Sequence, residues 1–456
     1  MNQGTPHRLS AADLFQPKYL LMSGAGLVAA VALANRVVRF IYYHVVKFDF
    51  PHFWPISVFA PRWPDPLGFL TALGVGLLFF LCLLWLTRVR FALGPVLLTG
   101  LLLVLGSNLV QGVEFGLVIP ISDSSELCAQ YFHDAVKIQD PVAFLTHFEQ
   151  IQSGLQVHGR THPPGAVLLF YFFNKIFSSP GGIAVAIAAA AVSLSSVFFH
   201  ALCRQEFQDR EFAGYLTWLL LLIPAVQIYD LASLDAVIAA LLTGALYFIR
   251  HPKPIPGVLG SVLLLFLASF LSFGALFIFP VMLGYEVWSR RSFGRSALTS
   301  LALVSLYLVL ARTWHFNYLH SFLIASRLEN PEGFRGFSEP LSYFFTRLEG
   351  ISEIILFLGP FLGWLLLAGW QAMKQDRPRL FALTGLAAAT LLVIFATGAF
   401  RTGETARTCL FIYPYLLFPV ASGLAHERIG TKEKNLLLAL VFLQSLLMQM
   451  FGFYFW

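Results

Sequence analysis

The side chains most suited to chemistry are concentrated in VHGRTHPPGAVLLF, residues 157–170, directly before an apolar run. Arg160 is a permanent cation whose planar fork of donors suits a phosphate. His158 and His162 can donate hydrogen bonds to an oxyanion or ligate a metal. Because two prolines follow His162, we do not expect a helix across these residues, and metal binding by the two histidines stays an alternative.

The prolines of this stretch predict the start of a helix. Pro163 and Pro164 lack an N–H group and fix φ, which suits a first helical turn. Thr161 or His162 is then expected as the N-cap. The free N–H groups and partial positive charge of that helix start would attract a phosphate. The alternative is a rigid entry into an amphipathic helix that binds no ligand.

A second set of polar residues lies in ISDSSELCAQYFHDAVKIQDP, residues 121–141. A carboxylate at the membrane surface can take a proton from a hydroxyl acceptor. We predict this general-base role for Asp123, with Asp134 and Glu126 as the next candidates. The alternative is structural, because Ser122 or Asp123 followed by Glu126 is also typical of a capping box.

A third set lies in FRTGETARTCLFIYPYLLFP, residues 400–419. A charge at membrane depth is costly unless it is paired, and it indicates function by default. Glu404 can pair with Arg401 or Arg407, so a structural ion pair is one interpretation. Two arginines and one carboxylate leave one cation unpaired, which could bind an anionic group. We therefore predict that all three side chains contribute to substrate binding.

Two aspartates lie in YDLASLDAV, residues 229–237, at a turn between two apolar runs. Asp230 is expected to face the same side of the membrane as the other three sets, and Asp235 to cap a helix or to pair with a cation. The four segments are then expected to surround one site at the membrane surface, able to bind the phosphate of a lipid.

Composition places the chain in a membrane. Of its 456 residues, 57% are hydrophobic and 12% are charged, and the mean hydropathy is +0.73. A soluble domain is usually about 25% charged. Apolar runs of about 20 residues recur, each long enough to span a bilayer as a helix. The net charge of +6 lies in small basic clusters between these runs, which is a topology signal rather than a sign of nucleic-acid binding. The sequence predicts an all-α fold, a polytopic transmembrane helical bundle.

About thirteen spans are predicted, and every short loop on one side of them is basic, which puts that side in the cytoplasm. This topology requires residues 164–177 to lie in the outer interface as a helix that does not cross. We expect one transmembrane domain, 1–456, with an outward catalytic loop at 120–180, a second outward loop at 312–350 and no soluble C-terminal domain. The predicted spans are 19–41, 67–87, 91–119, 181–202, 212–230, 233–249, 256–271, 273–289, 296–311, 351–371, 380–399, 408–425 and 435–454. The predicted outward segments are 42–66, 120–180, 312–350 and 400–407.

Some arginines, among them Arg327 and Arg335, lie in predicted outward segments, although positively charged residues are usually enriched on the cytoplasmic side. An anionic ligand is one explanation. A solvated, half-structured surface loop at 312–350 is the other.

Taken together, these motifs resemble the GT-C superfamily of glycosyltransferases that use polyprenyl-phosphate sugars. The nearest branch is that of the protein O-mannosyltransferases and aminoarabinose transferases. Asp123 falls where the family has an acidic residue in its first large outward loop, and THPPG matches its His-Pro-Pro element. IPAVQIYDLASLDAVIAALL and GETARTCLFIYPYL resemble later elements, so that the resemblance covers residues 91–425. Ser124 departs from it, because a second acidic residue often stands there.

The resemblance implies an inverting transfer in which Asp123 deprotonates the acceptor hydroxyl and lipid phosphate leaves. Stabilising the departing phosphate is the main electrostatic task. The residues that we expect to bind substrate are His158, Arg160, His162, Lys175, Asp230, Arg401, Glu404 and Arg407.

The expected partners are a polyprenyl-phosphate-linked sugar donor, a hydroxyl acceptor on a lipid, glycan or protein, and the lipid bilayer, with no nucleic acid. We expect no cofactor, with a divalent metal as the alternative. The expected location is the bacterial inner membrane, with an extracytoplasmic active site. The competing function is a polytopic transporter or lipid flippase, which would more often show internal repeats or broken helices near the midplane.

Overall fold

The computed structural model describes residues 17–46, 60–123, 131–331, 333–399, 404–426 and 429–454. These residues confirm the predicted all-α polytopic fold. Within them, six helices are long and apolar enough to cross a membrane, or seven if a bent pair counts as one span.

The helices are labelled here in chain order. They are α1 (Pro17–Phe40), α2 (Pro66–Arg88), α3 (Leu93–Leu109), α4 (Ile119–Ser122), α5 (Phe132–Ala135), α6 (Pro141–Thr146), α7 (Phe148–Ile151), α8 (Val157–Thr161), α9 (Pro164–Phe177), α10 (Pro180–Phe207), α11 (Arg210–Leu222), α12 (Pro224–Tyr229), α13 (Leu234–Arg250), α14 (Pro254–Leu271), α15 (Ile278–Arg290), α16 (Gly294–Trp314), α17 (Tyr318–Glu329), α18 (Arg335–Ser338), α19 (Pro340–Leu358), α20 (Pro360–Asp376), α21 (Pro378–Ala396), α22 (Thr405–Thr408), α23 (Tyr413–His426) and α24 (Thr431–Phe451). Strands β1 (Ala60–Pro61) and β2 (Gly452–Phe453) pair antiparallel. π-Helical turns occupy Ile41–Val46 and Glu114–Val118, and 3₁₀ turns occupy Gln152–Gly154, Phe273–Phe277 and Leu410–Ile412.

Several predicted spans are divided in the structure. Pro224 separates α11 from α12, because a proline suits the first turn of a new helix but not a helix interior. The predicted span 351–371 breaks at Gly359, where φ is +109° and α19 and α20 are bent by 99°. Helix α19 begins earlier than this span, at Pro340, within the predicted outward segment 312–350.

The centre of the bundle is formed by α11, α12 and α13, whose residues are buried on nearly all sides. Trp218 of α11 stacks on Phe79 of α2, with ring centroids 5.4 Å apart, and Phe79 stacks in turn on Phe442 of α24 at 4.6 Å. By contrast, α2 also exposes large apolar side chains such as Leu67 and Leu77. This arrangement suits a membrane, where a helix at the rim meets lipid rather than water.

Contacts between loops show that the loops lie at two ends of the bundle. At one end, Glu149 accepts hydrogen bonds from the backbone N–H of Asn317 and from the His320 ring, which joins the segments 120–180 and 312–350. At the other end, Arg295 donates to the His251 carbonyl oxygen at 2.8 Å. The segments predicted to face outward therefore include two that contact each other directly.

Helix α9 has the predicted bounds, 164–177, and does not run from one end of the bundle to the other. Its start packs against Phe270, near the end of α14, because a Cβ at Gly165 would lie 2.3 Å from the Phe270 carbonyl oxygen. The start of α10, at Gly181, lies beside Val118 just before α4. Ser178, in the left-handed conformation, ends α9 and turns the chain into α10.

Candidate functional site

The centre of the candidate site is Arg407, a buried arginine in the short helix α22. Its side chain forms an ion pair with Glu404, and its Nε lies 3.4 Å from Oδ2 of Asp235. Asp235 stands in the first turn of α13, behind the N-cap Ser233. The structure thus brings together two segments that are far apart in the sequence. Asp235 supplies a second carboxylate to Arg407, which matches one of the two roles expected for it, pairing with a cation.

Helix α22 is held in place by Glu353, a fully buried residue of α19. Its two carboxylate oxygens accept hydrogen bonds from the backbone N–H groups of Thr405 and Ala406, each at 3.2 Å. Sequence reasoning missed Glu353, although an acidic residue inside an apolar span was an available signal. The carboxylate fixes the segment from which Arg407 projects.

His158 and His162 lie on and just after a helix that was not expected. Helix α8 spans Val157–Thr161 and ends there because His162, which precedes a proline, is extended with φ −120° and ψ 161°. The two rings are 6.3 Å apart, and the Tyr131 ring packs edge-on against His162 at 5.4 Å.

Both histidines are electrostatically linked to Arg407. Burial, opposed in part by a backbone hydrogen bond and reinforced by the Arg407 charge, lowers the pKa of His162 to about 4. Burial and the same cation lower the pKa of His158 as well. Both rings are therefore neutral at pH 7 and lie close enough to sense the guanidinium.

The hydrogen bond of His162 fixes which ring nitrogen carries the proton. Its Nδ1 lies 2.9 Å from the His158 carbonyl oxygen, which can only accept, so Nδ1 donates. In a neutral ring, Nε2 is then an acceptor. The expected donation from His162 to an oxyanion does not fit this tautomer, and Nε2 suits a hydroxyl group instead.

Two other expected site residues lie at α8. Asp134 is buried, and its Oδ2 accepts a hydrogen bond at 2.9 Å from the N–H of Gln156, directly before the helix. Burial raises the pKa of Asp134. Arg160 is half-buried on α8, and its Nε has no hydrogen-bond partner among the residues that the structure describes.

The expected N-caps of α9 do not cap it. Thr161 Oγ1 donates to the Val157 carbonyl oxygen at 3.0 Å, and the N-cap position belongs to Pro163, whose side chain makes no capping bond. Residues 163–168 are buried. This packing favours the alternative of a rigid helix entry over an open phosphate site at the start of α9.

Asp123 is half-buried and follows the last residue of α4, where its N–H donates to the Ile119 carbonyl oxygen at 2.9 Å. Ser122 and Asp123 therefore end α4, and the residues that a capping box here would begin lie outside the described part of the chain. Glu126 and Arg401 lie outside the described residues.

Of the last two expected site residues, Lys175 is exposed and Asp230 is buried. Lys175 is exposed near the end of α9, with Nζ 5.2 Å from the centre of the Tyr171 ring. Asp230 ends α12, but it is only 4% exposed and lines a small cavity with Leu410 and Pro414 rather than an open turn. Within the part of the chain that is described, no group of three or more His, Cys, Asp or Glu side chains could hold a metal ion.

Comparison with known proteins finds similarity at the level of structure. No family model and no curated protein sequence matches the chain. Its structure is similar to crystal structures of ArnT from Cupriavidus metallidurans. For the apo state the identity is 20%, over 65% of this chain and 56% of that chain, with a TM-score of 0.41. For the state bound to undecaprenyl phosphate the identity is 18%, over 66% of this chain and 59% of that chain, with a TM-score of 0.42. The matched part is less than two thirds of the ArnT chain.

Proposed function

We propose that this protein is a membrane glycosyltransferase that moves a sugar from a polyprenyl-phosphate donor to a hydroxyl acceptor. The transfer inverts the anomeric centre and takes place on the extracytoplasmic face of the inner membrane, with no metal. The observation that carries the proposal is the buried Arg407 cluster beside two neutral histidines, at the end of the bundle where the two large loops meet.

The cluster offers both donors and acceptors for a sugar. Nη1 of Arg407 is buried without a hydrogen-bond partner among the described residues, so it can donate to an incoming oxygen. The Asp235 and Glu404 carboxylates and His162 Nε2 can each accept from a sugar hydroxyl. Buried polar groups that are paired only by substrate discriminate strongly for that substrate.

The lipid phosphate needs a further cation. One guanidinium between two carboxylates leaves the cluster without surplus positive charge, so Arg407 alone does not attract a phosphate. We assign that role to Arg160, whose Nε has no partner within the described residues, together with Arg401 and Lys175. Asp230, Glu404 and His158 complete the substrate-binding set.

The general base is assigned to Asp123. Asp235 and Glu404 are both ion-paired with Arg407, and a carboxylate already held by a guanidinium is less free to approach an acceptor hydroxyl. Asp134 is buried and bonded to the backbone. Asp123 is half-buried and lies close to α5, since the His133 ring of that helix bonds the neighbouring Ser122 carbonyl oxygen at 2.6 Å. Glu126 is the remaining candidate.

The activity is tested with purified protein in nanodiscs and two labelled donors, polyprenyl-phosphate mannose and polyprenyl-phosphate aminoarabinose. We expect Asp123→Asn to lower transfer at least about 100-fold without loss of folded protein. Asp140→Asn is the matched control in the same loop, because Asp140 caps α6 and asparagine caps equally well. Transfer that survives in Asp123→Asn would remove the base role. Movement of intact donor across the bilayer without transfer would favour a flippase.

The face of the membrane is tested by cysteine labelling. Cysteines placed singly at positions 123 and 404 should react with the same impermeant reagent, added outside the cell. Background reaction is low at Cys82, Cys203 and Cys409, because all three are buried. Labelling of the two positions from opposite sides would refute the proposed site.

A further inference from the structure

A second basic cavity lies at the outer end of α19, apart from the Arg407 cluster. Its volume is about 550 Å³, and none of the cluster residues lines it. Three arginines on three different elements do: Arg327 near the end of α17, Arg335 at the start of α18 and Arg347 on α19. Glu339 is the one carboxylate among the described lining residues.

Arg347 is built into this cavity. Its Nη1 donates to the carbonyl oxygens of Phe395 and Ala399, at 3.3 and 3.0 Å, and its guanidinium lies over the Tyr343 ring. Its Nε is buried without a hydrogen-bond partner in the described part of the chain. An ordered guanidinium with an unused donor is suited to a planar, multiply accepting anion such as phosphate.

Apolar side chains stand next to this charge. Phe334 is 44% exposed and lines the cavity, and Phe337, one turn away on α18, is 89% exposed. Exposed aromatic rings beside cations are typical of the boundary between lipid headgroups and acyl chains. A free anion in water would make no favourable contact with these rings. A lipid would contact the arginines with its headgroup and the rings with its acyl chains.

We propose that this cavity binds the phosphate of an anionic lipid headgroup, with the lipid chains against the exposed rings. The site does not depend on the proposed transferase reaction. It explains why Arg327 and Arg335 stand on a side of the membrane where the topology bias disfavours them.

The test uses the full-length protein in detergent, titrated with short-chain phosphatidic acid, short-chain phosphatidylcholine or inorganic phosphate, and reads the shift in unfolding temperature. We expect phosphatidic acid to stabilise the protein most. Its affinity should fall about tenfold in Arg327→Gln and in Arg347→Gln, the usual effect of losing a hydrogen bond to a charged group. Arg312→Gln, an exposed arginine of α16 outside the cavity, should leave the affinity unchanged.

Arg327→Gln keeps the test valid if Arg347→Gln fails to fold, because Arg327 is exposed. Equal affinity for inorganic phosphate and phosphatidic acid would overturn the assignment to a lipid. An unchanged response in Arg327→Gln, or an equal loss in Arg312→Gln, would overturn the site itself. Native mass spectrometry of the protein from nanodiscs should show a retained anionic lipid that Arg327→Gln loses.

Discussion

Arg407→Gln separates the structural and the binding roles of the central cluster. The change removes the cation and leaves the Glu404 and Asp235 carboxylates near each other with no positive charge between them. Removing one partner of a buried ion pair costs about 3–5 kcal/mol. Since the two carboxylate side chains are 26% and 21% exposed, water screens part of the repulsion. We therefore expect the free energy of unfolding to fall by about 2–3 kcal/mol.

A second substitution restores the charge balance of the cluster without restoring the guanidinium group. In Arg407→Gln combined with Glu404→Gln, one carboxylate remains, and more than about 1 kcal/mol of the lost stability should return. Sugar transfer should stay at least about tenfold below wild type, because the guanidinium that binds the donor is still missing. The measurements are chemical unfolding in detergent and transfer from the labelled donor at saturating acceptor.

The matched control is Arg250→Gln at the opposite end of the bundle. Arg250 forms a similarly buried ion pair with Glu206, so its loss should destabilise the protein by a comparable amount but leave transfer by the folded fraction intact. If Arg250→Gln and Arg407→Gln lower transfer equally, the effect is one of folding. If the double variant recovers transfer together with stability, Arg407 does not contact the donor.

Three further results are expected. The pKa of His162 in the folded protein, about 4, is below its unfolded value of 6.5. The ring therefore contributes its full stability above pH 6.5, and up to about 3 kcal/mol is lost as the pH falls to 4. His162→Gln should flatten this dependence of the unfolding free energy on pH. Gly165→Ala should cost about 1–3 kcal/mol, because the new Cβ meets the Phe270 carbonyl oxygen, whereas Gly154→Ala, in open space, should cost little. Glu353→Gln leaves one of two backbone N–H groups without an acceptor and should destabilise by about 1–3 kcal/mol; an unchanged unfolding midpoint would show that the carboxylate does not hold α22.

Features that depend on neighbours in the sequence could be predicted. Helix α9 was predicted with its observed bounds because two prolines fix its start and an apolar run fixes its length. Each predicted span falls on a helix or on consecutive helices, because hydrophobicity over about 20 residues is a local property. The break at Gly359 was missed although the Gly359–Pro360 pair inside the apolar run was an available local signal for it.

Features that depend on packing between distant segments could not be predicted. The ion pair of Arg407 with Asp235 exists only because α22 lies against the start of α13. From the sequence alone, Arg401 and Arg407 were equally good partners for Glu404. The expectation that prolines would prevent a helix at 158–162 failed for a related reason. The restriction acts on His162 alone, and the five residues before it are free to form α8.

The position of Asp235 limits what the cluster can do. A carboxylate in the first turn of a helix is stabilised by the partial positive charge of that helix end, and Arg407 stabilises it further. Among the described residues, Asp235 and Glu404 share the single guanidinium of Arg407, so the cluster has no further cation to attract a second anion. The phosphate of a polyprenyl donor is then expected on the side of α8, near Arg160, with the sugar between it and Arg407. In this orientation the sugar lies next to His162, whose Nε2 is left as an acceptor for a hydroxyl group by the hydrogen bond at Nδ1.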